Sequence, residues 1–452
     1  MRILIYGGRV IDPANHVDSK LNVLVEDGKI ALVGCEEYPA DERICADGKV
    51  VCPGFVDAHC HEDPVINGVI DFNEETSVSA CMLRQGATTT ICGNCGESKY
   101  APADYLDLVD SQGAPQNIAM LAAYEYYRVK AGVSDRYAPA DDAQIKEIAA
   151  DVKKDLNRGC AGMSYGIRYT PGINEAELLG TMAACKGTGK IVSCHVRDDA
   201  DGIFNSVDEF VNAAAALGVP AQISHIGSMA GFGQMAEVMS RIDALRLAGI
   251  DVMCDCYPYD AFSTGIGSTT YDPGWLQRYG CGYDVLEISE GKYKGQRCTE
   301  EIFNEVRRDF PDYLTVCYVM RSEDVELALR HPAVMLGSDA TMDNGQGHPR
   351  AAGAFPRLIA QYVRTGTITL YDAINKMTAM PADRFGLASK GRLTPGCDAD
   401  IVVFDPEEIK DNSTFENPVL PPSGIEYVFV NGVKALEKGI IICKNSGRAV
   451  RT

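Results

Sequence analysis

The sequence predicts an α/β chain built on a (β/α)8 TIM-like barrel, with a small β-sandwich module formed by its N- and C-terminal segments. Three observations carry this expectation. Eight short apolar, β-branched runs recur after Pro53 with helical stretches between them. Four of the seven histidines fall at the C-terminal ends of such runs. Before and after this repeat, the chain returns to strand-like alternation punctuated by Gly and Pro. Eight parallel strands, each followed by a helix, close into a barrel that presents its chemistry at the C-terminal strand ends.

The first segments alternate as strands over residues 2–6, 21–26 and 30–33. The barrel runs are expected at 54–59, 87–93, 117–124, 161–167, 191–195, 221–225, 251–256 and 334–337. Between them, 141–156 reads as an amphipathic helix with Ile145, Ile148, Ala149 and Val152 on one face, and 175–187 as another. Residues 269–319 separate the seventh and eighth runs by far more than one helix requires and carry the only tryptophan, Trp275. The stretch reads equally as a lid over the barrel mouth or as a packing decoration. Beyond Gly391, DADIVVFD, GIEYVFVNG and VKALEKG are strands expected to pair with the first segments. The expected division is a β-module of 1–52 plus 391–452 and a barrel of 53–390, with an insertion at about 269–319.

Composition narrows the function classes. With 452 residues and 46% apolar content, a sizeable core is assured. A formal charge of -21 and the lack of any dense Lys/Arg run argue against nucleic acid or an anionic membrane and favour a small-molecule substrate. The opening MRILIYGGRVID is not a secretory signal, and no apolar run approaches the ~18 residues of a membrane span. Seventeen cysteines invite a disulfide reading, yet Cys52, Cys81, Cys160, Cys185, Cys194 and Cys254 sit inside apolar runs, where the reduced thiol acts as a small hydrophobe. A reducing, cytoplasmic compartment follows. Oligomeric state is not legible.

The chemistry concentrates in six residues. His59 and His61 in PGFVDAHCH lie two apart, so both project to one face of a strand. That suits a metal, although two hydrogen-bonded core histidines have the same spacing. Asp57 shares the face, as an outer partner or a further ligand. His195 in IVSCHVR and His225 in PAQISHIG end the fifth and sixth runs, where neutral imidazole is the commonest nitrogen ligand for zinc. Asp339 in VMLGSDA can bind metal or hold a proton of attacking water. Cys95 makes a CxxC with Cys92 in CGNCG. No second CxxC exists for a zinc ribbon, and a thioredoxin motif belongs in a much smaller fold. A thiolate is also a strong zinc ligand that can bridge two ions. His16 and His331 have no such company and read as structural.

These motifs, with GATTTICGNCG, GMSYGIRYTPG, HVRDD, SHIG, DCYPYDAFST, GSDA, GHPRAAGAFPRLIAQYVR and KGRLTPGCDADIVVFDP, resemble the amidohydrolase superfamily and, within it, the D-aminoacylase (N-acyl-D-amino-acid deacylase) family. Most bimetallic amidohydrolases bridge their ions with a carboxylated lysine on the fourth strand. AGMSYGI has none, and D-aminoacylases similarly use the GNCG cysteine. The resemblance implies a tightly bound zinc at Cys95, His195 and His225, a weaker second metal near His59 and His61, and Asp339 as general base and acid. It also implies Arg350 as the substrate-carboxylate residue, with Tyr169 and Ser263 in the pocket. A guanidinium fork at Arg350 suits a carboxylate on physical grounds, with a surface arginine at a helix start as the alternative, and His348 could orient the same loop. One departure stands out. The family's lysine two residues after the sixth-strand histidine is Gly227 here.

The expected activity is zinc-dependent cleavage of a linear amide, giving a D-amino acid and a carboxylate. A dipeptidase of L,D type or a cyclic-amide hydrolase on the same metal site is the alternative. A non-catalytic scaffold that keeps the fold is a more remote one.

Overall fold

In the computed structural model, which describes residues 1–452, eight parallel strands form one sheet in the order of the sequence. They are Phe55–Asp57, Ala87–Cys92, Asn117–Ala123, Gly162–Gly166, Ile191–His195, Ala221–Ile223, Val252–Cys256 and Val334–Leu336. Each pairs in parallel with the next. The ring closes between the last strand and the first, where Asp339 N donates to His59 O (2.7 Å) and His61 N to Ala340 O (3.0 Å). The architecture is therefore a (β/α)8 barrel.

The eight runs are the eight strands, but several stop short of the expected ends. The first ends at Asp57 rather than His59, and the sixth at Ile223 rather than His225. The cause is local. His225 has φ +32°, in the left-handed region, so it leaves the ladder and starts the short helix Ile226–Ala230. His59, His61, His225 and Asp339 therefore sit just beyond their strands, while His195 is the last residue of its own.

The helices follow the apolar pattern. Asp142–Asn157 begins with a capping box in which Asp141 accepts from Gln144 N and the Gln144 side chain from Asp141 N. Ile145, Ile148 and Val152 are buried, and Ala149 is partly buried at the edge of that face. Each such fully buried apolar side chain contributes about 1.5–3 kcal/mol. The expected helix at 175–187 is shorter. Glu175–Met182, capped by Asn174, tightens into a 3-10 turn at Ala183–Cys185.

The terminal segments form two further sheets. One holds Arg2–Tyr6, Asn22–Glu26, Lys29–Gly34 and Glu42–Cys45. The other places Ile401–Phe404 antiparallel to Val50–Pro53 and continues through Ile425–Val430 and Val433–Glu437. Ile3, Ile5, Val23, Val51, Ile401 and Phe429 share one buried cluster between them. Sequence alternation alone did not reveal Arg9–Asp12, Val17–Lys20 or Glu42–Cys45, which are too short to show a period.

After the seventh strand, Phe262–Gly265, Leu286–Ile288 and Leu314–Cys317 make an antiparallel sheet, with the helices Trp275–Tyr279 and Glu300–Asp309 nearby. Trp275 is buried against Tyr271, Tyr283 and Phe303, in an apolar cluster continuous with that of the barrel. Among the helices, none is long and apolar enough to cross a membrane.

Candidate metal centre and cavity

Cys95 reaches the barrel axis through an unusual backbone. After the second strand, Gly93, Cys95 and Gly96 have φ of +74°, +55° and +72°. A Cβ on Gly93 would lie 2.6 Å from Leu121 O, and one on Gly96 would lie 2.6 Å from Gly166 N, so both positions require glycine. The fourth-strand residue Ser164 bonds this loop at both ends, accepting from Gly96 N at 3.1 Å and donating to Gly93 O. In AGMSYGI the fourth strand thus supplies a hydroxyl that holds the thiol's loop.

Cys95 Sγ lies 3.4 Å from His59 Nε2, 3.4 Å from His225 Nε2 and 3.9 Å from His195 Nδ1. Tetrahedral zinc with bonds of about 2.0–2.3 Å needs its donors roughly 3.3–3.8 Å apart, so the two 3.4 Å separations suit the ion and the 3.9 Å separation to His195 lies just beyond that range. Ligand atoms fall into two groups, Cys95 with His195 and His225, and Cys95 with His59, His61 and Asp339. Cys95 is common to both. Burial pushes His195 well below the usual imidazole range and His225 down to about 4, keeping both neutral and ready to ligate. Burial pushes the Cys95 thiol up, so a metal must displace its proton.

Partners orient the rings. Asp255 Oδ1 lies 3.1 Å from His59 Nδ1 and accepts from His225 N at 2.8 Å, while Asp255 Oδ2 accepts from Gln222 Nε2. Ser228 Oγ is 2.9 Å from His225 Nδ1, which leaves Nε2 to face Cys95. Asp57 is no ligand. It accepts from Ser338 N at 2.8 Å, from the Ser338 hydroxyl and from His59 N, tying the first strand to the end of the eighth. Cys92 belongs to neither ligand group, and its Sγ lies 3.6 Å from Thr90 Oγ1.

Asp339, with φ +51°, is 3.2 Å from His61 Nε2 and 3.4 Å from His59 Nε2 through Oδ1. Its Oδ2 is 2.8 Å from Arg350 Nη2. Burial alone would raise this carboxyl, but Arg350 and the imidazoles outweigh it and hold it well below the usual carboxylate range. Cys95, His225 and Asp339 are all non-glycine residues in left-handed backbone, a strain of order 1–3 kcal/mol each that persists where the surroundings enforce it.

Arg350 is not a surface residue. It is 2% exposed, its guanidinium stacks 4.6 Å over the Tyr257 ring, and its Nε and Nη1 have no partner. His348 Nδ1 accepts from Arg350 N at 3.0 Å and so fixes the helix start, as its loop position suggested. Tyr169, Ser263, His195, His225 and Asp339 line one cavity. Arg350 stands directly behind Asp339 and Tyr257 in that wall. Sequence reasoning missed Tyr257, Asp255, Ser228 and Asp199. For Asp255 the signal was available, a carboxylate inside the apolar run VMCDC.

Gly227 has a steric reason. A Cβ there would lie 2.7 Å from the buried Cys256 Sγ, with Met320 and Val325 behind it. Gly227→Lys is therefore expected to cost about 1–3 kcal/mol in a urea titration without tightening substrate binding.

Two models of the amidohydrolase family match residues 50–232 and 315–434. The chain is 31% identical to an N-acyl-D-glutamate deacylase of Alcaligenes xylosoxydans xylosoxydans, over 95% of this chain and 92% of the relative. It is 30% identical to a D-aminoacylase of the same organism, over 99% and 97%. The crystal structure of N-acyl-D-glutamate deacylase from Bordetella bronchiseptica, complexed with zinc and a phosphonate inhibitor that mimics the tetrahedral intermediate, superposes with a TM-score of 0.88. That match has 28% identity and covers 100% of this chain and 99% of the other.

Proposed function

Because the chain belongs to the amidohydrolase family, in its D-aminoacylase branch, we propose that it hydrolyses the linear amide of an N-acyl-D-amino acid to a carboxylate and a free D-amino acid. The observation that carries this reading is the convergence of Cys95, His195 and His225 on one point, beside a carboxylate paired with a buried arginine.

Cys95, His195 and His225 would hold a tight zinc ion, and His59 and His61, with Cys95 shared, a weaker second one. Bound there, zinc supplies a Lewis acid for the amide carbonyl and lowers the pKa of attacking water towards ~7. Asp339 accepts the proton as the C–O bond forms and delivers it to the amine nitrogen as the C–N bond breaks. Arg350 offers Nε and Nη1 to the substrate carboxylate, which exchanges with Asp339 as partner of the guanidinium. Tyr169 and Ser263 line the space beside it. Fixing the carboxylate at one end and the carbonyl at the other leaves one direction for the side chain, which is how a site of this shape reads chirality.

The division into a β-module of 1–52 with 391–452 and a barrel of 53–390, with an insertion at about 269–319, belongs to the same reading. So does a reducing, cytoplasmic setting, supported by seventeen cysteines that are all free. The test is a hydrolysis screen of the zinc-loaded protein with paired N-acetyl-D- and N-acetyl-L-amino acids, L,D-dipeptides and hydantoins. Turnover of the D-series is expected. Turnover confined to the hydantoins would sink the proposal.

A further inference from the structure

The cavity wall away from the metal ligands contains a carboxylate that the hydrolytic chemistry does not use. Asp199 follows the fifth strand, is 5% exposed and lines the cavity with Met229, Phe262, Thr264, Thr270 and Tyr279. Its Oδ2 accepts from Tyr279 Oη at 2.5 Å. Its Oδ1 faces Arg278 Nε at 2.8 Å, but no hydrogen bond is directed at it. No lysine or arginine is in the wall. Arg278, behind it, pairs its charge with Asp199 and donates from Nη2 to Thr270 O, while its Nε makes no directed hydrogen bond. Arg168 is likewise behind, held by Asp198 Oδ1 at 2.9 Å and Arg197 O at 3.2 Å, although its Nε and Nη2 have no partner.

We propose that Asp199 sets the substrate side-chain class: the cavity receives an uncharged side chain that donates a hydrogen bond to Asp199 Oδ1 and rejects a side-chain carboxylate. This rests on the N-acyl-amino-acid reading above. The physics is an asymmetry. A buried carboxylate oxygen with no directed hydrogen bond gains from an amide, hydroxyl or indole N–H, whereas a second carboxylate placed against it brings only acceptors to an oxygen that can itself only accept. The chain would then differ in selectivity from the N-acyl-D-glutamate deacylases it resembles.

N-acetyl-D-glutamine and N-acetyl-D-glutamate form an isosteric pair that reads this directly. The zinc-loaded protein is expected to favour glutamine by about 100-fold in kcat/KM. Asp199→Asn should bring the pair within about tenfold, because its amide can turn a donor towards the carboxylate. If Asp199 only anchored the helix Trp275–Tyr279, the variant would lower activity on both substrates together and leave their ratio unchanged, which would overturn the proposal. A wild-type preference for glutamate would overturn it too, and would point to Arg168. Calorimetric titration of both compounds into zinc-loaded Asp339→Asn protein separates this from the hydrolytic reading. Tighter binding of the glutamine compound sustains the Asp199 assignment even where turnover of every N-acyl-D-amino acid fails, and equal or reversed binding defeats it.

Discussion

Cys95→Ala is expected to release the tight zinc and reduce turnover by at least about a thousandfold, while Cys92→Ala keeps both the metal and most activity. The two thiols share one CxxC, yet only Cys95 lies within ligand distance of His59, His195 and His225. A zinc site of this kind binds with an apparent free energy of roughly 10–16 kcal/mol, much of it from deprotonated donors, so deleting the only thiolate removes a large share. Cys92 is a buried strand-end thiol, and its loss should cost only about 1 kcal/mol of packing. Metal content by elemental analysis, together with kcat/KM on one N-acetyl-D-amino acid, checks both variants. Equal behaviour would revive a redox or paired-thiol reading of CGNCG. The same chemistry fixes the sign of a pH effect. The Cys95 thiol is pushed up by burial, and zinc must displace its proton, so zinc affinity should fall as the pH is lowered.

This contrast shows what a single sequence can convey. Apolar runs of the right length disclosed eight strands, because a buried parallel strand needs β-branched and apolar residues at nearly every position. Histidines at the ends of those runs and a carboxylate just past one disclosed a cluster of candidate ligands, which the structure gathers at one rim of the barrel. Periodicity says which face a side chain takes but not which atom it meets across the ring. Asp255 pairing with His59 Nδ1, Ser228 with His225 Nδ1 and Ser164 with the Gly93 and Gly96 backbone are all cross-strand or short-loop contacts of this kind. The left-handed conformations of Cys95, His225 and Asp339 were equally hidden, because Asp and His are enriched at positive φ without requiring it and Cys carries no such signal. Asp57, open as an outer partner or a further ligand, was decided only by its contacts. Its position suited a ligand, but its oxygens are engaged by Ser338 and the His59 amide.

Asp339→Asn is expected to lower kcat by about 10²–10⁴-fold with KM changed far less, the signature of a lost proton acceptor rather than a lost binding group. An amide keeps the size of the carboxylate and can still accept from Arg350 Nη2, so the helix start at Arg350 should hold. It cannot take a proton from water. The pairing with Arg350 sharpens the prediction. In the absence of substrate, the guanidinium together with the neighbouring imidazoles holds Asp339 well below the usual carboxylate range, which makes it a poor base. A substrate carboxylate on Arg350 offsets that charge and raises the basicity of Asp339 when a proton must be moved. Truncated N-acyl amines without the carboxylate should therefore lose kcat as well as affinity in the wild-type enzyme. In Asp339→Asn, which has no base to activate, the same truncation should affect KM alone. A double-substitution cycle between substrate carboxylate and Asp339 measures this coupling directly. Additive losses would show that Arg350 only anchors the substrate and leaves the base untouched.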